Sequence, residues 1–141
     1  MWPDCVIYIC AQSIFKLHPD FDKVIGDILR EDPKGIVVFL QGRRPSWTQL
    51  LRNRLEQSLT PDARRRVAFV PRVQGSENFL ALLAGADVAL HPFPYGGSKT
   101  AADAIAVGLP LVTFPGRFLR GRNALGYFKT MRMTACCVAG K

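Results

Sequence analysis

Apolar and polar positions along this chain alternate in blocks. CVIYICA (5–11) is apolar throughout and of strand length, and IVVFL (36–40), VAFVP (67–71), DVALH (87–91) and LPLVTF (109–114) repeat that form. Between them the spacing becomes helical. Phe21, Val24, Ile25, Ile28 and Leu29 fall at i, i+3, i+4, i+7 and i+8, the stripe of an amphipathic helix. Pro19-Asp20 opens that helix and Pro33-Lys34-Gly35 stops it. Trp47, Leu50, Leu51, Leu55 and Leu59 predict a second helix, begun near Ser46 and ended by Thr60-Pro61. A third runs from Ser76-Glu77 through Phe79, Leu80, Leu82 and Leu83 to Gly85, and a fourth spans about residues 99–107. The basic segment GRFLRGRNALGYFKTMRM is predicted helical in its second part and leads to the short apolar end TACCVA.

Strands that are apolar along their whole length, alternating with helices, predict a parallel sheet covered on both faces. Right-handed crossovers make that a doubly wound, Rossmann-like α/β sheet. No repeat, low-complexity stretch or linker interrupts the pattern, so residues 1–141 are expected to form one domain. The chain begins on a strand almost at once and ends on strand-like sequence, which predicts a domain cut close at both ends.

Composition narrows the class. A chain that is 48% hydrophobic and 21% charged is a globular domain, and no apolar run approaches the ~18 residues of a membrane span. The N-terminus MWPDCVIYICAQ lacks a basic n-region and a long apolar h-region, so cytoplasmic residence is the expectation. Four cysteines without a Cys-x-x-Cys spacing or a nearby histidine pair give no reason to expect zinc, and read as thiols in a reducing compartment. The net charge of +8 is uneven: the first 42 residues hold 4 of the 19 Lys/Arg and 6 of the 11 Asp/Glu. Nucleic acid is one partner for such a surface, but no aromatic interleaving or groove-reading motif accompanies the arginines. A phosphate-bearing small ligand calls for the same sign of charge with fewer residues.

Candidate chemistry gathers where the predicted strands end, because open α/β sheets bind ligands beyond their carboxyl ends. Gln12, Ser13, Lys16 and His18 follow the first strand, residues 72–76 the third, and Gly96-Gly97-Ser98-Lys99-Thr100 the fourth. Free N–H groups and a positive dipole at a helix start suit an anion. Gly96 and Gly97 permit close approach, Ser98 and Thr100 add hydroxyls, and Asp103, one turn in, can accept from ligand hydroxyls. The same residues also suit an ordinary turn with Ser98 as N-cap and Asp103 as a solvated first-turn carboxylate. Local sequence weighs the two readings equally. Neither Gly-x-x-x-x-Gly-Lys-Ser/Thr nor Gly-x-Gly-x-x-Gly is present. His18 and His91 have no carboxylate or serine partner at a telling spacing, which favours structural or solvent roles.

Four stretches, AQSIFKLHPDFD (11–22), RVAFVPR (66–72), ENFLALLAGADVALHPFPYGGSKTAADAIAVGLPLVTFPGRFLRGR (77–122) and MRMTACCVA (131–139), cover nearly the whole chain. In order and spacing they resemble the C-terminal, nucleotide-sugar-binding half of the O-linked N-acetylglucosaminyltransferases, the tetratricopeptide-associated GT-B glycosyltransferases. The resemblance implies a metal-independent UDP-sugar donor, UDP-N-acetylglucosamine, with no cofactor and a protein Ser/Thr hydroxyl as acceptor. It implies that Lys16 faces the diphosphate as the catalytic cation, with Gln12 beside it. Gly97, Ser98, Lys99 and Thr100 would hold the phosphates, Asp103 the ribose hydroxyls, and residues 72–76 would lie near the uracil. Three departures stand out. Lys99 puts a long cation inside the phosphate turn, Ser13 stands where some members carry glutamine, and the family's first Rossmann half, with its repeats and catalytic histidine region, is not in this sequence. The expectation is a donor half that binds and does not transfer by itself; a non-catalytic nucleotide-sugar module and a basic interaction domain are the alternatives.

Overall fold

The computed structural model describes residues 4–133; the predicted apolar end TACCVA, with Cys136 and Cys137, lies outside them. Five strands and six helices follow in the order β1 (Val6–Cys10), α1 (Pro19–Glu31), β2 (Gly35–Leu40), α2 (Pro45–Ser58), α3 (Pro61–Arg65), β3 (Val67–Val70), α4 (Ser76–Ala84), β4 (Val88–His91), α5 (Lys99–Ala106), β5 (Leu111–Thr113) and α6 (Asn123–Met131). Single 3-10 turns occupy Ile14–Lys16 and Leu119–Gly121. Every pairing is parallel and the sheet order is β3-β2-β1-β4-β5. The predicted doubly wound Rossmann-like sheet is the observed one.

The uniformly apolar strands serve two cores at once, because successive side chains leave a strand on opposite faces. Cys10 and Leu90 join Phe21, Ile25, Leu29, Leu51, Leu55 and Ala63 under α1, α2 and α3. Ile9 and Ala89 join Leu83, Ala101, Ala104, Ala124 and Phe128 under α4, α5 and α6. From β1 the chain winds outward through β2 to β3, then returns through α4 to β4 on the other side of β1. Crossovers therefore leave β1 and β4 toward opposite faces, and these two strands are neighbours, with Tyr8 opposite Val88 and Ile9 opposite Ala89. On the α1 side no helix among the described residues covers β5, and Val112 and Phe114 stay substantially exposed.

Two details differ from the sequence reading, and a third makes one of its alternatives specific. Leu50, placed on the apolar stripe of α2, is 66% exposed; the buried stripe is Thr48, Leu51 and Leu55, and Leu50 stands about 100° round the helix from Leu51. The short α3 was not anticipated, although Thr60-Pro61-Asp62 carries a start signal: the Thr60 hydroxyl accepts from the Ala63 N–H at 3.3 Å. His18 has a defined structural task, accepting the Asp20 N–H on Nδ1 at 3.2 Å as the N-cap of α1.

Part of the basic surplus is committed to holding helices in place. Arg66 donates to the carbonyls of Leu29, Asp32 and Gly35 and to Asp62, tying the end of α1 to α3. Arg54 makes a two-pronged bond to Asp22, Nε to Oδ2 at 2.7 Å and Nη2 to Oδ1 at 2.8 Å, and also donates to the Leu17 carbonyl. Asp22 is almost wholly buried, so losing its guanidinium strands a charge in the interior. Arg54→Ala is expected to cost about 2–3 kcal/mol in a urea melt, below the usual figure for breaking a fully buried pair because Arg54 is itself partly exposed. Arg30→Ala, which removes only solvent-facing pairs with Asp27 and Glu31, should leave the midpoint in place. Equal effects from the two variants would show that the α1–α2 pair is not a fastening.

Candidate functional site

The neighbours that part company, β1 and β4, open a crevice beyond their carboxyl ends, where doubly wound sheets place ligands. After β1, a 3-10 turn at Ile14–Lys16 holds Gln12 and Lys16 on one side of it. After β4, the turn 92–98 delivers the start of α5 to the other. Ala101 and Ala104 are fully buried on the sheet side of α5, and their small side chains let the helix lie close to the strands. A cavity of about 200 Å³ between the two turns is lined by Gln12, Lys16, Arg72, Gly97, Lys99 and Thr100, with Ser13 and Ser98 at its edge.

Gln12 joins the two sides. Its side chain is buried, its amide nitrogen donates to the Thr100 hydroxyl, and its Oε1 accepts from Lys16 Nζ at 3.2 Å. Lys16 Nζ also sits 4.7 Å from the centre of the Tyr95 ring and has no carboxylate partner among the described residues. Burial holds its ammonium below the ordinary lysine pKa. An unpaired, partly desolvated cation beside a helix N-terminus is an anion site in electrostatic terms.

The glycines are there for space. A Cβ on Gly97 would collide with the Thr100 hydroxyl and the Gln12 amide, and one on Gly96 would fall on the His91 imidazole. The turn is fastened from several sides: Gly96 N–H donates to the Arg120 carbonyl at 3.0 Å, Leu17 bridges to Pro94, and Ser98 Oγ meets Tyr127 Oη at 2.8 Å. That last bond decides the N-cap question. Ser98 makes no side-chain cap bond to α5, so the helix-start N–H groups are not satisfied by its own hydroxyl.

His91, buried at the end of β4, holds the turn from beneath. Nε2 lies 2.8 Å from the Gly97 carbonyl and Nδ1 3.0 Å from the Thr113 hydroxyl. A carbonyl only accepts, so Nε2 carries the hydrogen and Nδ1 accepts from Thr113. Both ring nitrogens are occupied by structure. Burial pushes its pKa down, and the nearby Lys16 charge adds to that against the raising effect of the Gly97 bond.

Gln12, Lys16, Gly97, Ser98, Lys99 and Thr100 are thus brought together around one cavity. Asp103 is not. It does not line that cavity, and its carboxylate pairs through Oδ2 with Lys99 Nζ at 2.7 Å. Lys99 is spent on that pair, with three-quarters of its side chain in solvent. The sequence reading missed Tyr95, Thr113 and Tyr127, whose contacts depend on tertiary packing and leave no local signal. A larger cavity of about 500 Å³ lies among α1, α3 and the end of α2; of its ionic groups, Asp22, Asp27, Arg30, Asp62 and Arg66 are engaged in ion pairs, which leaves Lys23 as a single cation there. Among the described residues no cluster of three or more His, Cys, Asp or Glu is placed to hold a metal ion, and no helix is long and apolar enough to cross a membrane. Cys10 is buried, and burial pushes its thiol up to about 12, which leaves it inert.

Comparison of the fold with solved structures places it. An O-GlcNAc transferase mutant from Thermobaculum terrenum superposes over 100% of this chain with a TM-score of 0.84 and 20% identity. A UDP-forming α,α-trehalose-phosphate synthase from Burkholderia xenovorans gives a TM-score of 0.56 over 78% of the chain at 15% identity, covering 30% of the synthase. The fold is that of one half of a GT-B glycosyltransferase. A UDP-GlcNAc 2-epimerase from Neisseria meningitidis, solved bound to UDP-GlcNAc, matches 94% of this GT-B-like chain and 37% of its own, at a TM-score of 0.58 and 11% identity. The chain spans about a quarter of the transferase it resembles, 27%. No family model matches it, and neither does the sequence of any curated protein.

A pH prediction follows from His91. Its folded pKa lies below the unfolded value of about 6.5, so between the two values the unfolded chain binds the extra proton. The stability from the neutral ring is therefore full above about pH 6.5 and declines as pH falls through that window. Urea midpoints measured from pH 7.5 down to 5 should drop in the native chain, and His91→Gln should flatten that part of the curve. A profile identical in the variant would show that His91 is not the titrating fastening.

Proposed function

We propose that this chain is the donor-binding half of a glycosyltransferase that uses UDP-N-acetylglucosamine and delivers the sugar to protein Ser/Thr hydroxyls. The observation that carries the reading is the convergence of Lys16, unpaired, with the uncapped start of α5 across the β1–β4 crevice. In this reading the N–H groups of residues 98–100 and the Thr100 hydroxyl bind the diphosphate, and Gln12 holds Lys16 and Thr100 in register. As the bond from the anomeric carbon to UDP breaks, negative charge grows on the leaving diphosphate. Lys16 and the α5 dipole stabilise it without reorganising, which is the electrostatic form of catalysis. Asp103 reaches the ribose hydroxyls only when its pair with Lys99 opens. No metal or cofactor is invoked, because Lys16 and the helix start supply the compensating charge. The crevice is smaller than the roughly 300–1,000 Å³ of typical ligand sites, so it encloses part of the donor, and the facing lobe of a GT-B enzyme would supply the remaining wall.

A second reading, binding without turnover, is favoured for the isolated chain by His91. The histidine nearest the crevice has both nitrogens bonded, to Gly97 and Thr113, and a general base needs a free one within reach of the acceptor proton.

Calorimetric titration with UDP tests the site. Thr100→Ala should weaken binding by about 1–2 kcal/mol, the loss of one hydrogen bond to a charged group, and Lys16→Ala should cost more than Lys99→Ala. Unchanged affinity in Thr100→Ala, or the reverse order for the lysines, would reject the assignment. Incubating the chain with UDP-N-acetylglucosamine and a Ser/Thr-rich peptide should leave the peptide mass unchanged. Sugar on the peptide, abolished by Lys16→Ala, would show instead that this half catalyses unaided.

A further inference from the structure

A second cavity, about 290 Å³, opens at the same end of the sheet, and Ser13, Phe15, Gly42, Arg43, Trp47 and Arg72 line it. It shares Ser13 and Arg72 with the crevice, so the two lie side by side across the loop after β1. Gly42 keeps one side of it tight: a Cβ there would sit 3.0 Å from that of Trp47, and the Gly42 N–H donates to the Thr48 hydroxyl at 2.9 Å. Its apolar wall is Phe15, 69% exposed, standing edge-on to Trp47 with ring centres 6.2 Å apart.

The charge here differs from that elsewhere on the chain. Arg54 and Arg66 are fastened to carboxylates and main-chain carbonyls, whereas Arg43 and Arg72 have no ion-pair partner among the described residues. No carboxylate lines the cavity. Two unpaired guanidinium groups beside an exposed aromatic edge suit a carboxylate-bearing chain, since the planar fork matches a carboxylate and the ring takes the adjoining aliphatic part. A nucleobase fits less well. Stacking needs an open ring face, and the Arg44 guanidinium lies over Trp47 at 5.8 Å while the Phe15 ring stands nearly perpendicular to it.

We propose that this cavity is the docking site for an acidic stretch of the acceptor polypeptide, next to the serine or threonine that is to be modified. The proposal rests on the donor reading above. Glutamate or aspartate side chains pair with Arg43 and Arg72, an apolar neighbour lies against Phe15, and the chain then passes Ser13 toward the sugar end of the crevice. The cavity thus gives the transfer a preference for acidic contexts.

Trp47 is a built-in reporter. The chain has two tryptophans, so Trp2→Phe leaves Trp47 alone. Its emission is followed while adding a short blocked peptide with one serine flanked by glutamates, and in parallel the same peptide with glutamines. UDP binding is measured separately by calorimetry. The glutamate peptide should give a saturable, salt-sensitive change that the glutamine peptide does not. Arg43→Glu should weaken it at least about fivefold with UDP affinity unchanged, which also shows the variant is folded. Equal response to both peptides, indifference to Arg43→Glu, displacement by UDP, or displacement by a single-stranded oligonucleotide of equal charge would each overturn the proposal. Peptide binding retained in a chain that fails to bind UDP would support the acidic-peptide cavity and count against the donor reading alone.

Discussion

Neighbouring parallel strands whose crossovers leave toward opposite faces cannot have their ends closed over by a single connection, and this constraint organises the molecule. β1 feeds α1 on one side and β4 feeds α5 on the other, so a gap persists at their carboxyl ends whatever the loops contain. The loops have only to furnish it. Gln12 and Lys16 come from one side, and the first turn of α5 from the other. The alanines at 101 and 104 matter to the site although they touch nothing in it, because they set how near the helix lies to the sheet.

Within that gap the arrangement is held from below. His91 presents a donor to the Gly97 carbonyl and takes one from Thr113 on β5, so three elements meet on one ring. The glycines at 96 and 97 are the counterpart: they leave the volume that His91, Gln12 and Thr100 occupy. A turn pinned by its carbonyl exposes its N–H groups, and exposed N–H groups at a helix start are what an anion needs. The basic residues of the chain divide accordingly. Arg54 and Arg66 fasten α1 to α2 and α3, while Lys16, Arg43 and Arg72 face the open end of the sheet without carboxylate partners.

Much of this was legible in the residues. Five apolar blocks with amphipathic spacers dictate a doubly wound sheet, and the sheet dictates where ligands go, so Gln12, Lys16 and residues 97–100 could be singled out without coordinates. Pairwise detail was not. Ser98 looked like an N-cap, but its hydroxyl turns to Tyr127, a residue on a helix 29 positions away. Asp103 looked free for a ligand, but the cation at Lys99, four residues earlier, takes it, as i,i+4 spacing allows. Leu50 carried the right chemistry one helical step out of place. Each of these depends on which partner lies opposite, and that is decided by packing between elements rather than by the local pattern.

Amide spectra of the 15N-labelled chain during titration with UDP address the central claim most directly, because they report every non-proline backbone N–H at once. The account predicts that the largest shifts fall on Gly97, Ser98, Lys99 and Thr100, with a second group at Gln12 to Lys16, and little change around α3. Shifts concentrated instead on the residues of the larger cavity, Gly26, Asp27, Leu59 and Ala63, or no shifts at saturating UDP, would contradict it.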